Sequence, residues 1–158
     1  MDSEKLKWCC CQNNGLKLVK PNDNLAREYI ESSEETLLIL QSIKSKSNMW
    51  LATTKYYSEY FAIYALLQKI GVKCEIHDCT IEITHFLENK EVIPKGYAKI
   101  LSEDKDLRID NQYYLKNRNV DVHIEELRDF ILVLKNKVNT ITLSEINKIR
   151  EELKKVLL

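Results

Sequence analysis

Only three glycines and two prolines occur in 158 residues. Glycine supplies left-handed turns and proline stops helices, so a chain poor in both favours long helices joined by short links. Hydrophobic residues at 44% and charged residues at 30% suit a globule and exclude a disordered chain. The length fits one domain around a single core. The 24 basic and 24 acidic side chains cancel. That balance argues against holding nucleic acid by bulk charge and leaves room for a local basic cleft or a basic partner.

No run approaches the roughly 18 apolar residues that span a bilayer. The start, Met1-Asp2-Ser3-Glu4-Lys5, has no apolar signal core, which predicts a protein that is not exported. Five cysteines, three of them adjacent at Cys9, Cys10 and Cys11, make a disulfide framework awkward and predict free thiols in a reducing cytoplasm. Abundant Lys, Glu and Ile are compatible with a thermophile.

Periodicity predicts an all-α protein. Residues 1–22 read as an irregular arm, with a turn at Asn13-Asn14-Gly15, and Trp8, Leu16, Leu18 and Val19 available to pack it down. A first helix is expected from Asp23 or Asn24 to about Lys46, carrying Leu25, Tyr29, Leu37, Leu40 and Ile43 at helical spacing. After a link at Ser45-Lys46-Ser47-Asn48, a second helix runs to Gly71, where a left-handed cap is expected. It is apolar over most of its circumference, the pattern of a central helix. A third helix spans about 78–89. A fourth carries Pro94 in its first turn, is interrupted or merely solvated over 102–106, and resumes over 107–116. A fifth begins near Asp121 as N-cap, and a last one, 142–158, opens on the capping box Thr142-Leu143-Ser144-Glu145.

The second helix holds Tyr56-Tyr57, then Phe61 and Ala65-Leu66-Leu67, and is followed by Gly71 and His77. Further on stands Leu107-Arg108-Ile109-Asp110-Asn111-Gln112-Tyr113-Tyr114, ahead of the fifth helix. On these residues, over about 23–141, the chain resembles the HEPN family, and more closely its small stand-alone prokaryotic and archaeal members. The resemblance implies an antiparallel, up-and-down bundle of four or five helices, with the 1–22 arm and the 142–158 helix added to it. It also implies a homodimer, no cofactor and no metal. Many members are metal-independent endoribonuclease toxins paired with a nucleotidyltransferase-like antitoxin, so RNA association is the expected function. The alternative is a catalytically degenerate relative that binds nucleotide, RNA or protein.

Members that cut RNA use an arginine, a polar residue after it, and a histidine about four to six positions on. A guanidinium can hold the scissile phosphate, and an imidazole can take the proton of an attacking 2′-hydroxyl. Two stretches fit. Arg118-Asn119-Val120-Asp121-Val122-His123 matches literally, but residues five apart lie about 140° apart on a helix, so the backbone must break between them. Arg108 to Tyr113, with Asp110 orienting the arginine, fits the family register but ends on a phenol. A phenol is a poor base at neutral pH, yet it stacks and hydrogen-bonds well. Both assignments stay open from sequence: Arg118 and His123 as catalytic, or Arg108, Asp110 and Tyr113. Tyr57, His77, Arg108, Tyr113 and Tyr114 are the binding candidates. A zinc set of Cys74, His77, Cys79 and His85 lacks standard spacing, and two buried thiols beside a histidine is the preferred account.

Overall fold

A computed structural model describes residues 3–43 and 46–157. The described chain runs α1 (Ser3–Cys11), β1 (Lys17–Leu18), α2 (Asp23–Ile43), α3 (Asn48–Ile70), β2 (Val72–Lys73), α4 (His77–Asn89), α5 (Tyr97–Gln112), α6 (Ile124–Thr140) and α7 (Leu143–Leu157). Its regular structure is helical apart from one two-stranded antiparallel ribbon, Lys17 opposite Lys73 and Leu18 opposite Val72. Among the described residues, no helix is long and apolar enough to cross a membrane. Part of the N-terminal reading, Met1-Asp2, lies outside the described residues. So do the last turn expected of the first helix and its linker, at Lys44 and Ser45.

Helix α3 is central: α2, α5, α6, α7 and β2 all pack on it. Its sequence explains why, since Leu51, Tyr56, Ala62, Ile63, Ala65, Leu66, Leu67 and Ile70 bury nearly every face. Ser47 caps its start by accepting from the Trp50 amide, and Gly71 ends it in the left-handed conformation at φ 84°. Helices α2 and α6 run antiparallel. Lys135 pairs with Glu34, while Asp23 and Arg27 share a surface groove with Val138 and Asn139.

Five expectations need correction. The arm is not irregular: residues 3–11 form α1, because Leu6 and Cys9 make a buried stripe against α4. Trp8 does not pack it down but stands half exposed, whereas Leu16 is buried. Pro94 lies outside the fourth helix, which starts at Tyr97. The backbone turns at Gly96, φ 100°, and the buried Glu88 carboxylate caps the new helix by accepting from the Ala98 amide at 2.7 Å. Of the two readings of 102–106 the continuous helix holds, and that helix ends at Gln112 rather than Lys116. Asp121 does not cap the fifth helix; its carboxylate accepts from Asn119 instead, and α6 starts at Ile124.

The cysteines also differ from expectation. Cys9 and Cys79 form a disulfide that ties α1 to α4 across 70 residues, while Cys10, Cys11 and Cys74 are free. The two cysteines come together because α1 docks its buried stripe on the first turns of α4.

The C-terminal helix buries Ile146, Ile149 and Leu153 and is further held by Arg150. Arg150 Nη1 donates to the carbonyls of Val19, Ile70 and Gly71 at 2.8, 3.0 and 2.8 Å. Of these, the Ile70 carbonyl belongs to the last turn of α3, where intrahelical donors run out, and the Gly71 carbonyl also accepts from the Val19 amide. A Cβ at Gly71 would run into this guanidinium and the Val19 carbonyl, so glycine is required there twice over. Thr142 and Glu145 form the expected capping box, with the Glu145 carboxyl held down at about 2 by the Thr142 hydrogen bonds and Lys137.

Arg150→Ala should cost about 1–3 kcal/mol by removing these hydrogen bonds, and Arg150→Lys should recover only part of it, since Lys is a point donor. Urea denaturation of the three proteins reads the difference. Reducing Cys9–Cys79 should lower stability by up to about 4 kcal/mol, from the chain entropy of a closed loop of this length. The shift in denaturation midpoint with and without reductant checks it.

Candidate functional site

The candidate site is the seam between α3 and α5. On α5 the buried positions are Ala98, Leu101, Asp104, Arg108 and Asn111, one stripe at helical spacing. Its upper half is apolar and its lower half polar. Each polar member meets a partner from α3 or the following loop, because an unpartnered charge at such a position would be prohibitively costly.

Arg108 is only 5% exposed. Its guanidinium carbon lies 4.9 Å from the Tyr56 ring centre, 5.3 Å from that of Tyr57 and 5.9 Å from that of Tyr113. Nη1 donates to the Tyr57 hydroxyl at 3.1 Å and more distantly to Gln112, whereas Nε has no protein partner. Aromatic faces thus replace much of the hydration that this cation gives up. The Tyr56 hydroxyl pairs with Nδ1 of His77, on the first turn of α4, at 2.6 Å. Burial, then the positive charges of Arg108 and Lys105, push the His77 pKa down, so the imidazole is neutral at pH 7. Burial, with Tyr60 next in effect, pushes the Tyr56 phenol up.

One turn earlier on α5, and just after Tyr56 and Tyr57 on α3, is a buried acidic pair. Asp104 Oδ1 accepts from Lys55 Nζ at 2.9 Å, and the neighbouring Glu59 is 1% exposed. Burial foremost, then the Asp104 carboxyl, raises the Glu59 pKa well above the ordinary value of 4.5. Glu59 Oε2 and Asp104 Oδ2 have no partner among heavy-atom donors. One proton retained by Glu59 and shared with Asp104 accounts for both.

The loop 113–123 leaves this seam. Asn111 grips it on both sides, accepting from the Arg118 amide at 2.6 Å and donating to the Arg118 carbonyl at 3.0 Å. Asn117, at φ 52°, accepts from Asn48 on the first turn of α3. Held this way, Tyr113, Tyr114 and Leu115 stand 64, 68 and 72% exposed. A cleft of about 720 Å³ lies beside them at the start of α3, lined by Lys46, Asn48, Asn111, Leu115, Asn117 and Asn119 among others.

The structure therefore brings Tyr57, His77, Arg108 and Tyr113 together and sets Tyr114 just outside, where Lys116 lies over its ring at 5.6 Å. Asp110 does not orient Arg108. It pairs with Arg118 at 2.7 Å and Lys116 at 3.0 Å, and their hydrogen bonds pull its pKa down. Arg118 is exposed, and His123 lines a different cleft with Lys55, Glu59 and Asp104. Cys79 is bonded to Cys9, and Cys74 Sγ donates to the Ile76 carbonyl. Among the described residues no three His, Cys, Asp or Glu converge as a metal site.

Sequence reasoning passed over Tyr56, Lys55, Glu59, Asp104 and Asn111. The signal was present in the spacing of Leu101, Asp104, Arg108 and Asn111, which continues the apolar stripe of α5 with polar residues. Compared with protein-family models, curated proteins and solved structures, the chain matches none.

The proton on Glu59 makes stability depend on pH. A carboxyl whose folded pKa lies above its unfolded value contributes fully below about pH 4.5, and that contribution is lost as pH rises toward the folded pKa. Glu59→Gln keeps a neutral donor for Asp104 and removes the titration. It should match the parent near pH 4.5 and exceed its stability by about 1–3 kcal/mol at pH 8. Denaturation curves across that range would show parallel pH slopes if Glu59 ionised freely in the fold.

Proposed function

We propose that the chain is a HEPN-like, RNA-associated module that binds single-stranded RNA without cutting it. The observation that carries this reading is the contrast between a closed seam and an open loop. Arg108 is held among three tyrosines with little surface left for a phosphate, while Tyr113, Tyr114 and Leu115 project into solvent next to it. Exposed aromatic rings stack on unpaired bases whatever their identity, and neighbouring cations hold the backbone. Lys46 supplies such a cation, Lys116 and Arg118 being shared with Asp110, and Trp50 adds another exposed ring on the first turn of α3. The asparagine amides of the adjacent cleft, together with the helix start, suit base edges and phosphate oxygens. In this reading Arg108 is a positioning residue that sets the loop through Tyr57 and Tyr113.

A second reading, a metal-independent endoribonuclease toxin, is favoured by one observation: a neutral imidazole, His77, lies beside the buried guanidinium of Arg108. Its weakness is that the Tyr56 hydroxyl already occupies Nδ1. If Tyr56 donates there, the ring hydrogen sits on Nε2, and the imidazole can donate to a phosphate but cannot take a proton. The Arg118 and His123 register is weaker in geometry, because Asp110 engages the arginine. Both readings carry with them a homodimer and a cytoplasmic setting, and the second adds a nucleotidyltransferase-like antitoxin. A cytoplasm that keeps Cys9–Cys79 oxidised is the thermophilic kind.

Incubating the purified chain with mixed RNA in EDTA separates the readings. Binding without cleavage is expected, weakened about tenfold or more by Tyr113→Ala with Tyr114→Ala, each stacked base being worth about 1–3 kcal/mol. Cleavage that leaves cyclic-phosphate ends would establish the nuclease instead. Its loss in His77→Ala or in His123→Ala would then identify the base.

A further inference from the structure

A second cleft, of about 360 Å³, opens between α3, α5 and the start of α6. Its floor is the buried acidic pair, and its rim adds Glu103, Glu126 and Asp129, so five carboxyl groups face one lysine, Lys55, and one histidine, His123. Two of its polar atoms, Glu59 Oε2 and Asp104 Oδ2, belong to side chains more than nine-tenths buried and meet no donor beyond the one proton that Glu59 shares with Asp104. Its walls are carbon: Tyr97 and Phe130, stacked with centroids 4.3 Å apart, and Ile100 and Leu127. We propose that this cleft binds an organic ammonium group, from a free aliphatic amine or from a lysine side chain presented by a partner.

The chemistry follows from the lining. Carboxylates at the floor and rim attract a cation, and aromatic and aliphatic walls accept the methylene stem that carries it. A bare metal ion would leave those walls unused, and the carboxylates do not converge as metal ligands do. Lys55 already shows what the floor accepts. Its ammonium holds Asp104 Oδ1, leaving the second oxygen and Glu59 for another. The site is separate from the RNA reading: Tyr113 and Tyr114 do not line it, and the loop that carries them reaches it only at His123.

An incoming ammonium takes the place of the proton on Glu59, and that proton leaves to solvent. Binding is therefore coupled to proton release and strengthens with pH. The groups facing the cleft are Lys55 and Glu59 from α3, Glu103 and Asp104 from α5, and His123, Glu126 and Asp129 from α6 and its cap. His123 is the one histidine at the rim, so the test includes a variant without it.

The full chain would be titrated by calorimetry at pH 6 and pH 8 in physiological salt. The probes are putrescine, spermidine, a Gly-Lys-Gly peptide and magnesium chloride. Expected is saturable amine binding that tightens by up to about tenfold per pH unit, with proton release read from buffers of different ionisation enthalpy. Glu59→Gln should weaken it at least tenfold and abolish the release, and the exposed Glu126→Gln, which leaves the floor intact, should weaken it severalfold. The pH dependence should persist in His123→Gln. Preference for the free amines or for the peptide identifies the source. No saturable amine binding, binding indifferent to Glu59→Gln, or magnesium bound in place of the amines would overturn the proposal.

Discussion

The interaction on which the rest depends is the burial of charge between α3 and α5. Arg108, Asp104 and Glu59 all lie at least nine-tenths out of solvent. Each would be ruinous alone, because a charge moved from water into the interior loses far more solvation than one hydrogen bond returns. Each is answered instead by a neighbour: tyrosine faces and a hydroxyl for Arg108, a lysine for Asp104, a retained proton for Glu59. These answers are specific in position. Sliding α5 by one turn would take Arg108 out of its tyrosine cluster and Asp104 away from Lys55, so the polar pairs favour one register of the two helices.

That register then places everything nearby. Asn111, the last member of the stripe, grips the loop 113–123 by the Arg118 peptide, and so presents Tyr113, Tyr114 and Leu115 outward. At the other end, Asp104 and Glu59 form the floor of the second cleft. His77 joins from α4 through the Tyr56 hydroxyl. One row of polar residues on one helix thus organises two surfaces of different chemistry, an aromatic, amide-rich one and an acidic, carbon-walled one.

Much of the fold was legible from sequence. The central helix, its left-handed end at Gly71 and the capping box at Thr142 follow from local patterns that tertiary contacts had no reason to change. The errors share a cause. Residues 102–106 admit a break or a solvated turn because they are charged; nothing in them stops a helix, and Asp104 turns inward to Lys55. Asp121 looks like a cap until Asn119 takes its carboxylate, and α1 looks irregular until α4 supplies a surface for Leu6 and Cys9. Among the candidates, Arg108, Tyr57, His77 and Tyr113 were named from the sequence. The partner on Asp110 was not, because which of three nearby cations a carboxylate selects depends on backbone turns beyond Gln112.

By itself, then, the sequence determined that this chain is helical and that its second long helix is the centre of the bundle. Those outcomes rest on residues close together: glycine and proline scarcity, the period of apolar positions, and side chains that cap their own turns. Tertiary structure alone decided which cysteines meet, which charges are buried and with whom, and that an arginine and a histidine 31 positions apart share one aromatic cluster. Those are contacts between distant segments, and their energies depend on desolvation and geometry that exist only once the helices have packed.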